Sequence, residues 1–140
     1  AKYFGVDVFD KSIKHAKVKY PHINFRTASA DNLPFKNDSV DLIICYETLE
    51  HLENTALSLK DIKRVLNKNG TFILAMDSGS LLFRLVWLIW ENTQGKAWKG
   101  SHLHPFKHKE LDKIIMLSGF KIKDKHFSHF GMEVIYTLKK

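Results

Sequence analysis

Few side chains in this sequence sit where chemistry could be done. Asp7 lies near the end of a short apolar run, Tyr3–Val8 (YFGVDV). A carboxylate at the carboxyl end of a strand can accept two hydrogen bonds from a ribose diol, although it serves equally as a helix cap or a solvated acid. His51 changes charge near neutral pH and so could act as a general base, the plainer role being to orient Glu47 or cap a helix. His102, His104 and His108 cluster in HLHPFKH. Their spacing matches no closed zinc site, and Cys45, the single cysteine, is remote from them in sequence, so no metal is assigned and a substrate-facing lid or a helix start is expected instead. Trp87, Trp90 and Trp98 accompany the run Leu81–Trp90 (LLFRLVWLIW), which could line a pocket for a large apolar acceptor or rest on a membrane surface beside Lys96 and Lys99. Because that run is apolar nearly all round apart from Arg84, packing against a sheet is the expectation.

These groups need elements to hold them. Tyr3–Val8 reads as a buried strand, followed by a helix over Ser12–Tyr20 with Ser12 as its N-cap and Pro21 after its end. Ile23–Arg26 resumes an extended pattern, and Ser29–Ser39 is rich in turn residues. Val40–Tyr46 (VDLIICY) is a near-continuous apolar run, the pattern of a parallel strand covered on both faces. Leu59, Ile62, Val65 and Leu66 recur at helical spacing within Thr55–Leu66, and Asn67–Gly70 (NKNG) reads as a helix stop with Gly in the left-handed position. Thr71–Met76 is the next strand. Alternation of strand and helix at this spacing specifies an α/β fold with a doubly wound, mostly parallel sheet.

Residues 77–108 interrupt that rhythm and read as an insertion. Lys109–Ser118 is a helix closed by Gly119, and Phe120–Phe127 with Glu133–Leu138 forms a terminal antiparallel hairpin expected at the sheet edge. The 140 residues make one domain. A hydrophobic fraction of 44% with 26% charged residues excludes disorder and coiled coil. The formal charge of +7 favours anions, yet the lysines run from Lys2 to Lys140 without an Arg-rich or aromatic stacking phrase, so no specific nucleic-acid partner is expected. Lys121, Lys123 and Lys125 alternate and should share one strand face. One cysteine and no secretion signal point to a reducing, cytoplasmic setting, and the longest apolar run is about half of the roughly 20 residues a membrane-spanning helix needs.

The phrases GVDVF, ASADNLPF, DLIICYETLEHL and RVLNKNGTFILAM, in that order, resemble the class I S-adenosylmethionine-dependent methyltransferases, especially the ubiquinone and menaquinone methyltransferase group. The likeness covers residues 3 to 77, with weaker agreement over His102–Ile122. It implies a Rossmann-like sheet, S-adenosylmethionine as cofactor, and methyl transfer to a small or lipid-like acceptor. By the same resemblance, Asp7 holds the ribose hydroxyls with Val8 beside the adenine. Ser29 and Ala30 contact the adenine ring; Ser29 stands where the family commonly has an acid, a role Asp31 could take over. Cys45 and Tyr46 lie near the methionine part of the cofactor, and Glu50 and His51 match a pair that opens the next helix. His51, Trp98, His102 and His104 are expected near the acceptor, and no catalytic residue is assigned.

Family members also carry a leading strand and a glycine-rich turn whose backbone approaches the cofactor, and no Gly-x-Gly precedes Asp7. The expectation is therefore an N-terminally truncated domain whose exposed strand edges invite pairing with another chain, such as a homodimer. Its alternative role is that of a non-catalytic binding module. A nicotinamide-dependent dehydrogenase would also place an acid after this strand, but the LPF and EHL phrases do not support it.

Overall fold

The computed structural model describes residues 1–93 and 108–140. Its elements are β1 (Phe4–Asp7), α1 (Asp10–Lys19), β2 (Asn24–Thr27), β3 (Val40–Tyr46), a 3₁₀ turn at Leu49–His51, α2 (Thr55–Val65), β4 (Leu66–Asp77), α3 (Leu81–Thr93), α4 (His108–Leu117), β5 (Lys121–Ser128), a second 3₁₀ turn at His129–Gly131, and β6 (Glu133–Lys139). The fold is α/β, and its strands form two sheets. β1 and β2 pair in parallel, while β3, β4, β6 and β5 lie side by side in that order. β3 and β4 are parallel, and β6 runs antiparallel between β4 and β5. The hairpin thus enters the sheet through β6 and leaves only β5 at the edge. Among the described residues no ladder joins β1 to β3, and each has one paired neighbour.

The core explains why the second sheet holds. Leu59 and Ile62 of α2, Leu111 and Ile115 of α4, Phe72, Leu74 and Met76 of β4, and Val134, Tyr136 and Leu138 of β6 bury against one another with Leu49 and Phe120. Alternate strand residues face the helices, as the period of two requires. Asn54 caps α2, its side chain accepting from Leu57 N at 3.0 Å. Gly119, at φ +78°, ends α4 with hydrogen bonds from Gly119 N to Met116 O and Phe120 N to Ile115 O. Tyr136 donates its hydroxyl proton to Asp112, which also takes Lys125 Nζ at 2.8 Å, locking α4 to both strands of the hairpin.

Several local expectations change. α1 begins at Asp10 rather than Ser12, because Asp7 Oδ1 accepts from Phe9 N at 2.8 Å and turns the chain two residues earlier. Asn67–Gly70 does not stop a helix in the left-handed form. Leu66 is already extended, and the register steps from Val40 opposite Leu66 to Leu42 opposite Thr71, so these residues bulge out of β4. Lys139 Nζ ties the bulge down through the carbonyls of Asn69 and Gly70. The lysine stripe on β5 is broken by an irregularity between Ile122 and Asp124, which turns Lys125 inward to Asp112.

Two corrections concern burial. β3 is covered on one face only: Ile43 and Cys45 pack on the core, while Leu42, Ile44 and Tyr46 are 52, 64 and 58% exposed. Residues 81–93 form a helix within the expected insertion, yet Leu81, Leu85 and Ile89 are 73, 53 and 66% exposed, so α3 is not the packed cover expected. Its aromatic residues are half-buried and adjoin one another, Phe83 stacked on Trp87 and Trp87 tilted against Trp90 at centroid distances of 5.7 and 4.9 Å. No helix among the described residues is long and apolar enough to cross a membrane.

Candidate functional site

The side chains singled out by sequence fall into two groups, one at the carboxyl ends of each parallel pair. The first group is Asp7, Val8 and the segment Ser29–Asp31. Asp7 and Thr27 end β1 and β2 opposite each other, and Ala28 N donates to Asp7 O at 3.0 Å, bringing the following loop alongside Asp7. Asp7 is half-buried. One of its oxygens is used in the turn to Phe9, ahead of α1 and not as its cap, and a carboxylate has a second oxygen to offer a hydroxyl. Val8 is exposed, as an apolar wall for a planar base would be. Asn32 N bonds to Ser29 O and closes the loop. Asp31 lines a shallow depression of about 290 Å³ with Leu57, Lys60, Asp61 and Arg64.

Arg64 anchors that loop. Its guanidinium donates to the carbonyls of Leu33 and Phe35 and to both oxygens of Asp61, while Asp61 Oδ2 accepts from Leu33 N at 2.7 Å. Burial of the Asp61 carboxyl works against its charge, but the Arg64 and Leu33 hydrogen bonds outweigh it and hold its pKa below the usual value. Asp61 and Arg64 lie one turn apart on α2, so the helix fixes the loop that leads from the first sheet to the second.

The second group surrounds the ends of β3 and β4. Cys45 is half-buried, and burial, followed by the charge of Glu50, pushes its thiol up to about 12. It is therefore no ready nucleophile. Tyr46 is held above its ordinary pKa, first by its hydrogen bond to Glu133. Glu47 follows in the left-handed conformation at φ +46°, its N–H bonded to Ala75 O at 2.9 Å. Such a backbone is uncommon for a residue with a Cβ and marks a position fixed by its surroundings. Burial, then the charge of Glu50, raises the Glu47 carboxyl to about 8. Glu133 behaves in the opposite way: burial opposes its charge, but hydrogen bonds from Ser128, Tyr46 and His129 lower its pKa overall.

His51 sits in the 3₁₀ turn that precedes α2, with Nε2 3.7 Å from Glu50 Oε1. Glu50 is thus a carboxylate neighbour of His51, and α2 takes its cap from Asn54. Asp77 ends β4 and accepts from Gly79 N through Oδ1, and Ser80 Oγ accepts from Phe83 N, which starts α3 directly beyond this group. Trp98, His102 and His104 lie outside the described residues.

Sequence reasoning missed that Glu47, Glu50 and Asp77 converge. One carboxylate oxygen from each lies within 4.8 Å of the others. The signal was present in weak form: Glu47 and Asp77 each terminate one of two successive apolar runs, and successive parallel strands that pair bring their ends together.

A methyltransferase-domain model matches residues 1–74, just over half the chain. A probable S-adenosylmethionine-dependent methyltransferase of Mycolicibacterium smegmatis is 23% identical over 123 residues, covering 88% of this chain and 45% of that protein. The ubiquinone/menaquinone biosynthesis C-methyltransferase of Campylobacter jejuni is 24% identical, covering 97% of this chain and 65% of its own length. Among solved structures, an S-adenosylmethionine-dependent methyltransferase from Thermotoga maritima shares the fold with a TM-score of 0.77 at 22% identity, over 99% of this chain and 72% of that one. The chain spans between a quarter and a half of the first curated relatives it matches. Its ordered motifs, the matched domain and the shared architecture agree: the chain belongs to the methyltransferase-domain family, with the Rossmann-like class I S-adenosylmethionine-dependent fold.

Proposed function

We propose that the protein to which this chain belongs binds S-adenosylmethionine across the carboxyl ends of β1 and β3 and transfers its methyl group to a small or lipid-like acceptor. The observation that carries the binding half is the junction at the end of β1, where Ala28 N to Asp7 O sets the Ser29–Asp31 loop beside a half-buried carboxylate. In this reading Asp7 accepts the ribose hydroxyls, Val8 flanks the adenine, and Ser29, Ala30 and Asp31 border it. Cys45 and Tyr46 line the methionine part. When bound, the cofactor supplies a methyl group on a positively charged sulfur, which leaves as a neutral thioether. Alignment of the acceptor atom with that methyl does most of the remaining work, and effective molarities of ~10⁵ M or more are available to well-oriented reactants.

The acceptor half rests on α3. An exposed apolar helix that starts at Asp77–Ser80, directly beyond β4, suits an apolar acceptor or contact with a membrane surface better than a polar one. The Campylobacter quinone-pathway relative supports the same class. His51, with Trp98, His102 and His104, would border the acceptor. The test is incubation with methyl-tritiated S-adenosylmethionine and separate lipid and aqueous cell extracts. Label entering the organic phase, and lost in Asp7→Ala, is the expected result; label confined to polar products overturns the lipid-like assignment.

A second reading is favoured by one observation, the unpaired edges of β1 and β3 with their exposed apolar residues. On that reading the chain is a binding module that pairs with another copy along these edges. Sedimentation distinguishes the two, since the module requires a dimer and the enzyme does not.

A further inference from the structure

We propose that Glu47, Glu50 and Asp77 form a binding site for one hard divalent cation, of the Mg²⁺ or Mn²⁺ class. Their ligating oxygens lie within 4.8 Å of one another. Two oxygens on opposite sides of one ion are separated by twice the metal–oxygen distance, about 4.2 Å for Mg²⁺ and nearer 4.8 Å for Ca²⁺, so the three fit one coordination sphere with little movement. An all-oxygen carboxylate set selects this class of ion over softer metals.

A cluster of acids alone would not carry this, since acids gather on many surfaces without an ion. Glu50 is the independent observation. Its side chain is 0% exposed, and neither of its carboxylate oxygens has a donor within hydrogen-bond geometry, His51 Nε2 standing off at 3.7 Å. Burying a carboxylate without donors costs several kcal/mol by ordinary measures, and native interiors accept that only where the group is neutralised or coordinated. Leu49 and Leu59, both fully buried in the adjoining core, leave water little access from that side. Glu133 adds a fourth acid nearby, but its carboxylate already takes hydrogen bonds from Ser128 and His129. Both bonds go to Oε2; Oε1 has no hydrogen-bond partner, but Glu133 lies outside the set of three whose oxygens come within 4.8 Å of one another. The open side of the site is toward Glu47, the least buried of the three, where water ligands can complete the sphere.

This inference does not depend on methyl transfer, only on the geometry at the ends of β3 and β4. Mn²⁺ is the probe, titrated into the protein and followed by loss of the free-ion electron paramagnetic resonance signal. One equivalent bound below 1 mM, displaced by excess Mg²⁺, is expected, with binding at least tenfold weaker in Glu50→Gln and Glu47→Gln. Thermal unfolding without metal controls for folding: Glu50→Gln should unfold no earlier than the parent, and Mn²⁺ should raise the midpoint of the parent only. Should Glu50→Gln fail to fold, the more open Glu47→Gln carries the comparison alone. No bound Mn²⁺ at 1 mM, or equal binding in the variants, overturns the site. Mutually exclusive binding of Mn²⁺ and S-adenosylhomocysteine also overturns it, because the acids would then serve the ammonium group of the cofactor. S-adenosylhomocysteine binding measured separately keeps failure of the metal site distinct from failure of the methyltransferase reading.

Discussion

The two sheets of this molecule are packed to very different degrees, and so are the two faces of β3 within the larger one. In the sheet of β3, β4, β6 and β5, two helices cover one face, and every residue of the core cluster lies at or beyond Leu49. Before Leu49, Ile13 is the one buried hydrophobic residue, although Phe4, Val8 and Phe9, and on the outer face of β3 Leu42, Ile44 and Tyr46, are all large and apolar. The family match, residues 1–74, falls mostly on this lightly packed part. Family match and mechanical core overlap only from Leu49 onward: six of the thirteen core residues, Leu49, Leu59, Ile62, Leu66, Phe72 and Leu74, lie within residues 1–74, and the residues before Leu49 supply none.

The largest expected effect of that division is on stability. Phe72→Ala, in the centre of the core and stacked near Phe120, should cost about 3–5 kcal/mol, whereas Ile44→Ala should stay within about 1 kcal/mol. Urea unfolding measures both, and equal losses would mean that the outer face of β3 is covered. Asp7→Ala should weaken S-adenosylhomocysteine binding by about 1.5–3 kcal/mol, the range of a charge-assisted hydrogen bond, with little change in stability. Asp112→Ala should do the reverse. It strands the Tyr136 hydroxyl and Lys125, costing about 1–3 kcal/mol of stability while leaving affinity alone.

Smaller effects sharpen the boundary between the two parts. Asp61 has a lowered folded pKa, so the stability it contributes is fully present above its unfolded value and is lost as pH falls through the folded one. Asp61→Asn should flatten the decline in unfolding midpoint below about pH 4, the ordinary carboxylate range. Cys45 should react with iodoacetamide at pH 8 far more slowly than free cysteine, because burial holds its thiol near 12; urea should restore the ordinary rate.

The α/β class, the strand at Val40–Tyr46 and the helix stop at Gly119 were legible because apolar runs and a left-handed glycine are local signals. Coverage was not legible. The run VDLIICY announces a strand buried on both faces whether or not anything covers it, since hydropathy records what a residue favours rather than what lies against it. Asn67–Gly70 misled for a related reason: a turn-rich phrase after a helix serves equally as a stop or as a bulge, and pairing with β3 and Lys139 decides between them. Asp7 stood out by its place at the end of an apolar run, and the Ser29–Asp31 loop was singled out through the family phrases. The carboxylate cluster was not, because Glu50 and Asp77 are 27 positions apart and meet only once β3 pairs with β4.

The most direct test of the central claim is calorimetric titration of the protein with S-adenosylhomocysteine, in parent and Asp7→Ala forms. Saturable one-to-one binding in the parent, weakened at least tenfold in Asp7→Ala, is the predicted result. Heat of binding that is absent from the parent, or unchanged by loss of Asp7, would contradict a cofactor site at the end of β1.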